Sequence, residues 1–114
     1  MAYNEFLQDR IVQTLNSRGI KFYEKNMFGG LTFMVDDKMC VGIIKNEMMA
    51  RIHPDNVAEA LQKEGCKRMV FTGRPMKGFV MIEPIGYDMD EDLDYFIQLA
   101  LDYNSLTKSS KKEI

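Results

Sequence analysis

Lys25, Arg51, Arg74 and Lys77 fall at turns and strand ends of a 114-residue sequence, and gathered on one patch they would hold an anion. A phosphate, a nucleic-acid backbone and an acidic protein partner all suit such a patch, because charge-assisted hydrogen bonds are roughly twice as strong as neutral ones. Arg74 and Lys77 flank a bend beside Gly73 and Gly78, where backbone amides add donors. The competing reading is four separate solvated charges, or an Arg74 that braces its own loop through a carboxylate.

The remaining reactive side chains carry less. Cys40 and His53 would need to be adjacent, with a third group orienting the imidazole and a depressed thiol pKa, to act as nucleophile and base. Cys40 lies in an apolar run and His53 just before a helix-starting Pro54, so no such dyad is expected. Asp88, Asp90, Asp92 and Asp94 begin like a calcium loop, but Leu93 replaces its glycine and Leu99 its final glutamate. These acids read instead as residues favouring the dipole at a helix N-terminus. Gly29-Gly30 precedes a strand rather than a helix, so it marks a bend and not a phosphate cradle. Glu83 stands alone, without a named acid to pair with for proton transfer. No catalytic residue, metal site or cofactor is expected, and the chain is read as non-enzymatic.

Composition agrees with a small folded domain. Hydrophobic residues make up 46% and charged residues 28%, and a chain of this length buries enough surface for one core without metal or disulfide staples. A formal net charge of −2 disfavours attraction of a polyanion to the whole surface, leaving a local basic patch as the one route to nucleic acid. Two cysteines outside any Cys-x-x-Cys pair, and one histidine, rule against zinc or a disulfide framework. The polar N-terminus resembles no signal peptide and no apolar run reaches the ~20 residues of a membrane span, so a cytoplasmic location without membrane contact is expected. Ten methionines are an excess, and methionine suits both irregular cores and adaptable binding surfaces.

The elements that must position these residues follow from periodicity. Asn4 caps a first helix from about Glu5 to Ser17, with Leu7, Ile11 and Leu15 in one stripe that Phe6 and Val12 widen, and Gly19 closing it. A strand is expected within Ile20 to Phe28, then a bend at Gly29-Gly30, and a strand in which Leu31, Phe33 and Val35 share a face. A two-residue turn at Asp36-Asp37 sets Phe33 opposite Cys40, Met34 opposite Met39, and Leu31 opposite Gly42. Met39 to Ile44 is apolar throughout and reads as a central strand, followed by a strand over Met48 to Ile52. Pro54 opens a second helix that Gly65 closes. Met69 to Phe71 is a short strand, residues 72–76 form a turn broken by Gly73 and Pro75, and Lys77 to Glu83 is a strand. Pro84 and Gly86 interrupt the chain, and a third helix runs from about Asp90 to Leu106 with its stripe on Leu93, Phe96, Ile97, Ala100 and Leu101. A disordered tail is expected from Thr107 onward, giving one domain over 1–106.

Meandering strands imply an α+β fold, a two-layer domain with an antiparallel sheet of five to six strands and helices on one face. The second face has too many apolar residues to be simply solvated. A protein partner, most simply a second copy forming a homodimer, is expected to meet that Met-rich face.

With the segments placed, two stretches carry a resemblance. Residues 25–35, Lys-Asn-Met-Phe-Gly-Gly-Leu-Thr-Phe-Met-Val, followed by Lys38-Met39-Cys40-Val41-Gly42, resemble the signature of the TfoX/Sxy N-terminal domain family. Residues 71–80, Phe-Thr-Gly-Arg-Pro-Met-Lys-Gly-Phe-Val, are similar to its second signature; residues 2–6 and Arg51 also fit. The resemblance implies an α-β3-α-β2-α order like that of type III secretion chaperones. It also implies kinship with regulators of natural competence, which are thought to act with the cyclic-AMP receptor protein at promoters. Those regulators carry a further C-terminal helical domain, and this sequence is read as a single-domain member without one. Asp36-Asp37 stands where members often have Asn-Gly. The resemblance supplies Gly29, Gly30, Gly73, Pro75 and Gly78 as structural motif residues and no catalytic ones. The expected function is therefore a regulatory or binding module acting through protein contacts. The alternative is a nucleic-acid-binding module using Lys25, Arg51, Arg74 and Lys77.

Overall fold

A computed structural model describes residues 3–107. Asn4 caps α1 (Glu5–Ser17) by accepting the Leu7 N–H at 3.1 Å. The helix stops where expected because Gly19, at φ 70°, lets two N–H groups turn back: Gly19 onto Asn16 O and Ile20 onto Leu15 O, both 3.0 Å. That closure absorbs the first residues of the expected strand, so β1 is shorter, Tyr23–Met27. β2 (Gly30–Val35), β3 (Lys38–Ile44) and β4 (Glu47–Arg51) follow as a meander.

A 3-10 turn over Pro54–Asn56 leads into α2, only Val57–Ala60, and the chain continues to Gly65 in turns rather than as the full helix expected. Val57, Ala60 and half-buried Leu61 reach the core, too narrow a stripe to hold a longer helix against it. β5 (Cys66–Phe71) and β6 (Arg74–Ile82) form a hairpin. Its turn is Thr72–Gly73 alone, both at positive φ, so Arg74 and Pro75 belong to the strand and not to the turn. Proline is tolerated there because that part of β6 runs past the end of β4 and has no neighbour on that side. Pro84 opens a one-turn helix α3 (Pro84–Tyr87) in place of a simple break, and α4 spans Asp90–Asn104.

The sheet is antiparallel throughout, in the order β1-β2-β3-β4-β6-β5. Two rows of cross-strand partners face the helices. One joins Phe33, Val41, Ala50 and Val80; the other joins Leu31, Ile43, Met48 and Ile82. Leu7, Ile11 and Leu15 of α1 and Leu93, Phe96, Ile97 and Ala100 of α4 pack with them into one core. Each of these side chains larger than alanine contributes about 1.5–3 kcal/mol on burial. The α+β two-layer reading therefore holds.

The expected register needs one correction. Met34 does oppose Met39, but the pairing then slips: Phe33 faces Val41 rather than Cys40, and Leu31 faces Ile43 rather than Gly42. Cys40 is the additional residue of a bulge, which keeps Cys40 and Val41 both on the helix side. Sequence alternation alone cannot show an inserted residue inside an all-apolar strand.

α4 is fastened at its C-terminus by a buried lysine. Lys38 Nζ donates to the carbonyls of Asn104 at 2.7 Å and Thr107 at 2.6 Å, with Asp36 Oδ2 at 3.4 Å. Asn104 Nδ2 returns a bond to Val35 O at 3.1 Å. A cation there meets the negative end of the helix dipole. Thr107, placed in the expected tail, is thus tied down through its carbonyl; residues 108–114 lie outside the described residues.

Candidate interaction surface

The face away from the helices is lined by methionine. Met34, Met39, Met49, Met69 and Met81 form a second cluster and are no more than 8% exposed, although no helix among the described residues covers them. Part of their cover is aromatic. Phe28 meets Phe71 edge-on at 5.1 Å between centroids, and Phe79 at 6.3 Å. Phe28 sits in the β1–β2 turn at one corner of the sheet, and Phe71 at the diagonally opposite corner. Strand twist lifts diagonal corners toward the same side, so the sheet closes over its own methionines. Phe28 adopts φ 59°, an unusual conformation for a bulky residue, as the first central residue of a tight turn with Gly29 at φ 75°.

Cross-strand pairing also places the four cations. Lys25 lies on the edge strand β1 in a row with Thr32, Gly42, Met49 and Met81, and so is rooted on the methionine side. Arg74 pairs with Phe71 and shares that side. Arg51 pairs with Phe79 at the end of β4, and its guanidinium stacks 5.5 Å from the Tyr103 ring centre. Lys77 is exposed on the same hairpin as Arg74. The fold thus brings Arg74 and Lys77 onto one hairpin and puts Lys25 and Arg51 on other strands. The glycines split in role. Gly29 and Gly73 supply turn conformations, while Gly78, at φ 80°, carries a bulge whose carbonyl accepts the Ile52 N–H at 2.7 Å. Pro75 is paired with Val70.

Sequence inspection passed over two more cations. Lys67 and Arg68 are exposed on β5. Lys67 bridges Glu47 at 3.1 Å and Glu83 at 3.2 Å, and its hydrogen bonds to these carboxylates hold it above the usual lysine range. Cys66 to Gly78 contains Lys67, Arg68, Arg74 and Lys77 and no acidic residue; counting charge along this single segment would have found it.

The reactive side chains are occupied structurally. His53 Nδ1 accepts the Asp55 N–H at 3.0 Å as the cap of the 3-10 turn, and its ring stands edge-on to Tyr103 at 5.4 Å. Burial pushes the Cys40 thiol up to about 12 and the Cys66 thiol to about 11, the reverse of what a nucleophile needs. At pH 7 the thiolate of Cys66 is about a hundredfold scarcer than that of a cysteine titrating at 9.0. Iodoacetamide should therefore label the folded protein at least about a hundredfold more slowly than the urea-unfolded chain. Rapid labelling of Cys40 in the folded state would contradict its burial. The same shifts weaken folding as pH rises from about 9 toward 12, where unfolded thiols ionise and folded ones remain protonated.

The aspartates suspected of a calcium loop join helices instead. Asp90 pairs with Arg10 of α1 at 3.0 Å, Asp92 with Lys63 at 3.2 Å, and Asp94 with Arg18, which also bonds Gln98. Among the described residues no group of three or more His, Cys, Asp or Glu is placed to hold a metal, and no helix is long and apolar enough to cross a membrane. A hollow of about 650 Å³ lies between the β3–β4 turn and α3, lined by Ile44, Lys45, Asn46, Glu47, Glu83, Pro84 and Ile85. Its two glutamates are the ones that hold Lys67, so they neutralise a cation instead of facing a substrate.

No curated protein and no solved structure matches this chain. The TfoX N-terminal domain family does match, over residues 15–103, a span that takes in every strand, both signature stretches, the Phe28 turn and the basic hairpin. The chain belongs to the TfoX N-terminal domain family.

Proposed function

We propose that this domain is a regulatory binding module that works through protein contacts and performs no catalysis. Family membership suggests a competence-regulator-like role. The observation that carries the contact reading is the β5–β6 hairpin. It runs past the end of β4, holds Val70 61% exposed on the side away from the methionines, and carries half-buried Phe71 and Met76 at the rim of the methionine face. An apolar side chain set among cations on a projecting edge is the composition of a contact surface more than of a solvated one. The five methionines are already enclosed within the chain, so the hairpin's edge, and not the methionine face itself, is what a partner would meet, whether a second copy or a different protein. A cytoplasmic setting accords with two free cysteines.

The nucleic-acid alternative draws support from the same hairpin's four cations. A photo-crosslinking residue at position 70, tested in native cells beside one at the helix-side position 91, separates the two. A discrete protein adduct at 70 that is absent at 91 is the expected result. Adducts with nucleic acid alone, or equal protein adducts at both positions, would replace the contact reading. Affinity for duplex DNA should also be weak at 200 mM salt and should not show the steep salt slope that phosphate neutralisation produces.

A further inference from the structure

We propose that the free edge of β5 accepts an acidic, extended polypeptide segment as a seventh strand, with an apolar side chain of that segment set against Val70. This rests on the protein-contact reading above and goes beyond it by naming the edge, the binding mode and the chemistry of the partner.

Among the described residues β5 pairs only with β6, and apart from the Cys66 N–H, which donates to Lys63 O at 3.2 Å, its other side presents backbone N–H and C=O groups open to pairing there, the template that strand addition uses. Met69 is 1% exposed and points into the methionine cluster. Its neighbours Arg68 and Val70 therefore point the other way, away from that cluster and into solvent. Lys67 is already neutralised by Glu47 and Glu83. Arg68, Arg74 and Lys77 have no ion-pair partner among the described residues.

Charge chooses the occupant. Eleven of the fifteen basic residues lie outside this hairpin together with all seventeen acids, so the rest of the chain carries six surplus negative charges. A short acidic strand meets only the hairpin, whereas a nucleic acid, charged every ~1.7 Å along its axis, runs on into the acidic remainder. A second copy laid edge to edge would set Arg68 and Lys67 against their own counterparts and be repelled. The sheet's other edge, β1, exposes Glu24 and Lys25 side by side and has no such preference.

The test uses a fluorescein-labelled peptide of alternating glutamate and valine, and the same peptide with alternate backbone nitrogens methylated. A lysine–valine peptide and a single-stranded oligonucleotide serve as comparisons. The glutamate–valine peptide should raise anisotropy saturably and slow amide exchange in Cys66–Phe71 but not in Tyr23–Met27. Methylation, which blocks backbone pairing, should weaken binding about tenfold or more, and so should the double variant R68E/K77E. Both substituted positions are exposed, so melting of that variant should be unchanged. Equal binding of the methylated peptide, or exchange protection at β1, would overturn strand addition at β5. Absence of peptide binding, alongside a protein adduct at position 70, would overturn this inference and leave the contact reading standing. Oligonucleotide binding tighter than that of the peptide, with nucleic-acid adducts at 70, would overturn both.

Discussion

Gly30→Ala should lower the melting temperature far more than Gly29→Ala, though the two glycines are adjacent. A Cβ on Gly30 would stand 2.1 Å from the Ile43 carbonyl oxygen and 3.1 Å from Ile44 Cα. Those are backbone atoms of the central strand β3, which cannot move without breaking the pairing of β2 with β3. Overpacking against side chains costs about 1–3 kcal/mol, and a clash with backbone belongs at or above the top of that range. Gly29 has nothing within 4 Å of its missing Cβ but sits at φ 75°, so alanine there costs only about 1–2 kcal/mol of conformational strain. With about 4–8 °C per kcal/mol for a domain near this size, Gly30→Ala should melt on the order of 15 °C lower or fail to fold. Thermal melts of both variants decide the matter; equal shifts would mean that the close approach of β2 to β3 is not what Gly30 provides.

Lys38→Met should cost about 2–4 kcal/mol and loosen the end of α4 before anything else. Lys38 is only 5% exposed, and its ammonium satisfies the carbonyls of Asn104 and Thr107. Methionine keeps most of the stem's packing but supplies no donor, so those carbonyls lose their partner at a site with little access to water. Asn104 would still bond Val35 O, so the helix should fray over its last turn rather than detach. Amide exchange should accelerate in residues 103–107 while residues 93–97 remain protected. Uniform acceleration along α4 would show that Lys38 supports the whole core and not the helix end alone.

The sequence showed the elements most clearly where one periodicity ran without interruption. Phe6, expected to widen the stripe of the first helix, is 83% exposed, but the stripe of Leu7, Ile11 and Leu15, capped by Asn4 and closed at Gly19, appears in the structure as read, with Val12 packed beside it. So does the alternation of Phe79 and Met81 against Val80 and Ile82, which sends the two pairs to the two different cores. Legibility failed where two residues met one across a strand pair. At Cys40 the slip is hidden because every neighbour is apolar. In β6 four residues stand against Met69 alone, and Arg74, Pro75 and Met76 read as part of a turn although they lie inside a strand. Lys38 was missed for a different reason: its role depends on where α4 ends, a contact 66 residues away that local pattern does not carry.

The interaction surface was partly legible. Arg74 and Lys77 could be named from glycine and proline spacing, and the fold sets them on one hairpin. Arg68 could have been found by counting charge along its segment, but its place on a free edge is a property of strand order, which the sequence does not carry.

The contact between Phe28 and Phe71 has a bearing on oxidation. The five thioethers behind it are kept from peroxide in part by a seam between residues 43 positions apart, and by no described helix. Sulfoxide chemistry at those sulfurs therefore depends in part on how often that seam parts, which the helical core does not directly control. A protein rich in the most oxidisable apolar side chain has in this way tied part of its chemical durability to one pair of aromatic rings.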